Sequence, residues 1–364
     1  KQTEHQKMLR QLRYLFFFFY FLITSMALSS ERPSQYYPNF FQELPSMVGK
    51  SIVITGCSRG LGFVTAKALA LKGAKVYMLN RKSKQSDDAH QQISSACTGP
   101  DQPILIECDL LDFSSVRRAA EKIREKTAGK GIDVLCNNAG IMLQQDTSSV
   151  DGYDITASAN VLSHFLLTKE LFPELEKGAA ERGEARIINM SSSSGYGPSP
   201  FNPKFFEKRG GNCGGSEASY ERYHQSKLGN LLFTSALDDR LNNNNSKQTN
   251  THKKSNVIIK ALACTPGICG TDMYVHAMTF MNGEKSRSVS RGNVPSAEDG
   301  CMAQLKCICD STLSSGDLWG PTMGPNSNGN LMKTPIEPPT VLVDDNAKES
   351  FWNVCEQAVG KFDI

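Results

Sequence analysis

SIVITGCSRGLGFVTAKALALKG, residues 51–73, is the stretch whose reading decides the fold. SIVITG is a short β-rich run ending in Gly56, and LGFVTAKALALKG repeats apolar residues at helical spacing before stopping at Gly73. A strand therefore meets a helix across only a few residues, three of them glycines. The same alternation continues down the chain. KVYML (75–79), PILIECDL (103–110), IDVLCNNAG (132–140), ARIINMSS (185–192) and NVIIKALACTPG (256–267) read as further strands. SSVRRAAEKIREKTAG (114–129), residues 152–176 and YERYHQSKLGNLLFTSALDDRL (220–241) read as helices between them.

Near-continuous apolar strands alternating with helices describe a parallel sheet buried on both faces. Right-handed crossovers make this an α/β fold with a single doubly wound parallel sheet, Rossmann-like, with helices on both faces and ligands beyond the carboxyl ends of the strands. Residues 48–364 form one such domain. Residues 242–256, polar and low in complexity, read as an insertion in it, and 31–47, with Pro33, Pro38 and Pro45, as a linker.

Composition narrows the function. Lys1, Lys7, Arg10, Arg13 and Glu4 account for the whole surplus of +3, so the chain after residue 30 is net neutral. A neutral body lacks the basic face that displaces counterions from phosphates, and no nucleic-acid partner is expected. Eleven cysteines, an odd number without a short-range framework, argue against a disulfide scaffold and for a reducing surrounding. Residues 14–28, YLFFFFYFLITSMAL, carry no charge and follow Arg10 and Arg13. Their length lies between a signal-peptide core and a bilayer span, so residues 1–30 read as a signal or membrane-anchor segment. Membrane association in the endoplasmic reticulum or another endomembrane is the corresponding expectation, with the orientation open.

Within Thr55–Gly62, Gly56 permits the tight turn, Gly60 lets backbone approach a pyrophosphate, and Gly62 allows close helix–strand packing. Free N–H groups at the helix start then face a phosphate. From Lys75 to Ser86 no acidic residue is present to hold a ribose 2′-hydroxyl, whereas Arg81 is, and Arg59 lies in the turn itself. Two guanidinium groups suit a 2′-phosphate, so the expected cofactor is NADP(H). Tyr223 and Lys227 share a helical face at i, i+4. A cation ~4 Å from a phenol lowers its pKa by roughly three units at an effective dielectric of ~20, which would suit proton transfer near neutrality.

TGCSRGLG (55–62), Cys108–Leu110, NNAG (137–140), Asn160, the Ser191–Ser194 run and YHQSK (223–227) occur in the order found in the short-chain dehydrogenases/reductases. The chain resembles that family from about Lys50 to Thr271, and SHFLLT and SKLGNLLF are similar to its retinol dehydrogenase-like branch. The resemblance implies a catalytic set of Tyr223, Lys227, Ser192 and Asn160. It implies cofactor contacts from Gly56, Ser58, Arg59, Gly60, Leu61, Gly62, Arg81, Asp109, Leu110, Asn138, Ala139, Gly140, Tyr223, Lys227, Ile268 and Thr271. It also implies hydride transfer between the nicotinamide and a small hydrophobic alcohol/carbonyl substrate of retinoid, steroid or lipid type, and is compatible with a homo-oligomer. The Ser192–Tyr223 interval is longer than the family usually uses; the extra piece, residues 195–219, is expected as a mobile loop at the substrate mouth. No metal-ligand spacing is evident. Two alternatives stand beside this reading: a non-catalytic NADP(H)-binding sensor, and an enzyme like the protochlorophyllide reductases.

Overall fold

The computed structural model describes residues 32–197, 199–248, 257–282, 289–321 and 344–364. Among the described residues seven parallel strands form one sheet in the order β3-β2-β1-β4-β5-β6-β7. They are β1 Ser51–Thr55, β2 Lys75–Asn80, β3 Ile104–Glu107, β4 Val134–Asn137, β5 Glu184–Met190, β6 Ile258–Cys264 and β7 Leu318–Trp319. The two-residue β7 has no apolar run of its own to announce it. The order reverses between β1 and β4, which opens a crevice at the carboxyl ends of those two strands.

Successive side chains on each strand enter two different cores. Ile52, Ile54, Val76, Met78, Val134 and Cys136 face one, while Val53, Tyr77, Leu79 and Leu135 face the other. All ten are buried, which is why the strands lack polar alternation. Each fully buried Ile or Val contributes about 1.5–3 kcal/mol from leaving water. The first core is covered by α2 (Gly60–Leu71), α3 (Lys84–Ala96) and α8 (Ala297–Cys309). The second is covered by α4 (Phe113–Thr127), α5 (Ser163–Arg182), α6 (Ser219–Gln248) and α9 (Asp345–Val359). An aromatic cluster seals α9 onto α5: Phe165 meets Trp352 edge-on at 4.8 Å, and Phe362 packs against Phe165, Phe172 and Trp352.

Three expectations change. Part of the expected linker is structured: Tyr37–Glu43 forms a helix, α1, and Leu44 and Met47 are buried. The backbone N–H groups of Gln35, Tyr36 and Tyr37 all donate to the Asp299 carboxylate on α8, a cap that local sequence does not reveal. The helical backbone of α6 extends to Gln248, into the segment expected as an insertion. The expected mobile loop is pinned, with Phe205 and Phe206 buried in the second core. All eleven cysteines are free, and nine are buried. No helix among the described residues is long and apolar enough to cross a membrane, and residues 14–28 lie outside the described residues.

Candidate active site

The crevice is built around Thr55, the last residue of β1. Its Oγ1 accepts the N–H groups of Asn138 and Ala139 at 3.0 and 2.9 Å and lies 2.9 Å from His164 Nε2. Burial lowers the His164 pKa to about 4, so the ring is neutral. With Nδ1 donating to the Asn160 carbonyl, Nε2 is left to accept the Thr55 hydroxyl proton. Every polar atom of this group thereby has a partner, and β1, β4 and α5 are tied together beneath the crevice.

Gly56 turns the chain with φ +73°. A Cβ on Gly62 would stand 2.2 Å from the Gly56 carbonyl oxygen and 2.4 Å from Asn138 Nδ2, so close packing requires glycine there. At Gly60 the requirement is conformational: φ is +57°, while a Cβ would meet nothing nearer than Thr271 Cγ2 at 3.5 Å. Thr271 thus crosses over the turn. Ile268 beside it is half-exposed, and Leu61 packs beneath near Gly300. Ser58, Arg59, Gly60 and Thr271 line a cleft of about 660 Å³, with Arg32 and Gln85 on its outer wall.

The remaining expected cofactor residues are placed as follows. The Asn138 amide is occupied within the protein: Nδ2 donates to the Thr55 carbonyl and Oδ1 accepts from Gln304. Asp109 Oδ1 accepts the Leu111 N–H, and the Leu110 carbonyl accepts from Ser158 and Ser163. Arg59 pairs with Asp272 at 3.0 Å, and Arg291 meets the same carboxylate. Both guanidiniums of the expected clamp are solvent-exposed, and Arg81 has no ion-pair partner among the described residues. The group these residues fit is a dinucleotide. At the end of β2, Asn80 Oδ1 accepts the Cys57 N–H while its buried Nδ2 has no partner among the described residues, an unused donor at the strand end that faces a ribose in such folds.

Tyr223 and Lys227 stand on α6, both buried, with Lys227 Nζ 5.8 Å from the Tyr223 ring centre. Nζ donates to the Met190 carbonyl at 2.9 Å rather than to the phenol. Here the expected electrostatics need correcting. Burial pushes Tyr223 up to about 12, the neighbouring Ser192 being the largest opposing influence, and burial brings Lys227 down to about 8. The expected lowering of roughly three units assumed a cation ~4 Å from the phenol at an effective dielectric of ~20, whereas Nζ is spent on the Met190 carbonyl. In this arrangement desolvation wins.

The serine run separates by role. Ser191 Oγ donates to the Lys227 carbonyl, Ser194 Oγ meets Tyr220, and Ser192 Oγ accepts the Ser194 N–H while its nearness opposes the rise in the Tyr223 pKa. Asn160 sits in a π-helical turn, Ser158–Leu162, of the kind that often marks functional sites. Its amide bonds both backbone groups of Ile141 and the Ser226 hydroxyl. A Cβ on Gly140 would lie 3.4 Å from both Asn160 Oδ1 and Lys227 Nζ, so Asn160, Gly140 and Lys227 meet at one point. Met273, absent from the expected set, has its sulfur 4.0 Å from the Tyr223 hydroxyl.

The family model for short chain dehydrogenases matches residues 50–205. A short-chain dehydrogenase/reductase of Armillaria gallica is 34% identical over 66% of this chain and 72% of its own length. The chain belongs to the short-chain dehydrogenase/reductase family. It is thus an oxidoreductase of a family that binds a nicotinamide cofactor. Within the family it is retinol dehydrogenase-like: retinol dehydrogenase 12 of Mus musculus is 36% identical over 53% of this chain and 57% of its own length. Among solved structures, an uncharacterized protein from Mycobacterium Paratuberculosis is 29% identical, with a TM-score of 0.64, covering 89% of this chain and 98% of that one. A short chain dehydrogenase of Shigella flexneri complexed with NADP, 19% identical with a TM-score of 0.55, covers 76% of this chain and 98% of its own, and speaks for the fold. Thr55, His164, Ser226 and Asp272 escaped the motif reading because their work is to hold other residues, which no spacing rule encodes.

Proposed function

We propose that the protein is an NADP(H)-dependent oxidoreductase interconverting a hydrophobic alcohol and its carbonyl, with Tyr223 as the acid/base. The observation that carries this reading is the buried Lys227 one helical turn from the buried Tyr223, with Asn160 and Gly140 meeting its amine. The dinucleotide, when bound, supplies or takes up the hydride. Arg81 and Arg59 would hold its 2′-phosphate, the glycine turn its pyrophosphate, and Thr271 and Ile268 its nicotinamide side.

The residues of the chain handle the proton. At neutral pH the Tyr223 phenol is protonated and able to donate to a carbonyl oxygen as charge develops there. The Ser192 hydroxyl orients that oxygen toward the phenol. Lys227, cationic below about pH 8, lowers the cost of the phenolate left behind. Asn160, fixed by Ile141 and Ser226, holds the path along which Tyr223 is reprotonated. The half-exposed side chains of Ile268, Phe280 and Met281 support an apolar substrate. Membrane association through residues 14–28, in the endoplasmic reticulum or another endomembrane, belongs to the same proposal. Mixing the purified chain with NADPH and medium-chain aldehydes tests the function: loss of the 340 nm absorbance supports it, and no turnover of any of them overturns it.

A further inference from the structure

We propose that the segment between Ser192 and Tyr223 builds an additional subsite for the far end of an elongated, uncharged substrate. The subsite rests on Tyr223 marking the reacting end. Helix α7 (Asp272–Asn282) runs outward from that point. Met273 touches the Tyr223 hydroxyl, and His276 and Phe280, three and seven residues on, lie on the same helical face. Seven residues span about 10 Å, so a molecule following this face leaves the reacting carbon by that distance.

There it enters a cavity of about 380 Å³. Leu143, Ile155 and Phe280 give it apolar walls, and Gln144, Gln145, Thr147 and Ser216 bring neutral hydrogen-bonding groups. Among the described residues no carboxylate, lysine or arginine lines it. Ser216 comes from the extra segment, and that wall is held in place. The Asp146 carboxylate accepts the N–H groups of Cys213 and Gly215 at 2.8 and 2.6 Å. Arg222, fully buried one residue before Tyr223, donates to the carbonyls of Gly215 and Gln144 at 2.6 and 2.7 Å and lies 3.1 Å from Asp154. The walls on both sides of the cavity are thus tied to the helix that carries the catalytic pair. His276 Nε2 lies 3.4 Å from the carbonyl of Leu143, which has a left-handed backbone with φ +53°. The lining favours an uncharged end bearing a hydroxyl or ether oxygen and disfavours a phosphate or carboxylate.

The test compares 10-hydroxydecanal with the anion 10-oxodecanoate as NADPH-dependent substrates of the full chain, and of Ser216→Lys. The wild type should prefer the hydroxyaldehyde by at least tenfold in kcat/KM, and Ser216→Lys, placing a cation in the cavity, should reduce that ratio at least tenfold. Calorimetry of 1,10-decanediol against 10-hydroxydecanoate in the presence of NADPH, where no hydride acceptor is present, reads the same preference without turnover. Should neither aldehyde be reduced while calorimetry shows the preference and its loss in Ser216→Lys, the functional reading fails and the subsite stands. Equal preference in wild type and variant, by turnover or by calorimetry, overturns the subsite.

Discussion

Lys227 and Tyr223 share one face of α6, yet the amine bonds the Met190 carbonyl and lies 5.8 Å from the phenol ring centre. The pair is assembled but held apart, so the proton on Tyr223 is retained by burial. Tyr223→Phe should reduce turnover by about 10²–10⁴ or more, the usual worth of a positioned acid/base, while NADPH binding stays measurable by fluorescence titration. Rates like those of the wild type would remove Tyr223 from the mechanism.

Lys227 also makes stability depend on pH. Its pKa is about 8 folded against 10.5 as the reference, so between those values the unfolded chain holds a proton that the folded chain has released. Stability from this group therefore rises with pH across that window, by up to about 3 kcal/mol, and the full cost of burying the cation is present below pH 8. In cofactor-free protein, denaturant titrations at pH 7.5 and 9.5 should show a stability gain in the wild type that is largely absent in Lys227→Met.

Two glycines in the same turn should respond differently. Gly62→Ala drives a methyl against the Gly56 carbonyl and should cost about 3 kcal/mol or more, with loss of dinucleotide binding. Gly60→Ala makes only ordinary contact with Thr271 and bears the left-handed backbone cost, about 1–2 kcal/mol. Chemical denaturation of both variants checks the order.

Arg81→Asp should weaken NADPH by tenfold or more while changing NADH far less, because a 2′-phosphate loses a charge-assisted contact that NADH never had. Paired titrations decide it, and equal losses would leave cofactor preference to other residues.

Asp299→Ala removes the acceptor shared by three N–H groups at the start of α1. A cost of about 1–3 kcal/mol and faster proteolysis between residues 32 and 48 are expected, read by mass spectrometry of the fragments.

Much of this was legible beforehand. The strands of residues 51–55 and 75–80 announced themselves because a sheet covered on both faces needs uninterrupted apolar runs. Tyr223 and Lys227 stood out as a pair because a helical period is local, whereas Ser192 was named through the resemblance alone. What could not be read depends on partners far along the chain. Tyr37–Glu43 is capped from Asp299, Arg222 is held by Asp154 and Gly215, and Asn138 is claimed by Thr55 and Gln304. The balance between desolvation and charge at Tyr223 was equally hidden, since it turns on depth and separation.

The buried, unpaired sulfhydryls furnish a built-in clock for conformational opening. Cys97 and Cys309 alone are half-buried rather than buried, and desolvation keeps even these poor nucleophiles, Cys309 near pKa 12. A chromogenic thiol reagent would thus titrate the intact protein slowly, and each additional group it captures would date the moment a particular layer of the molecule came apart.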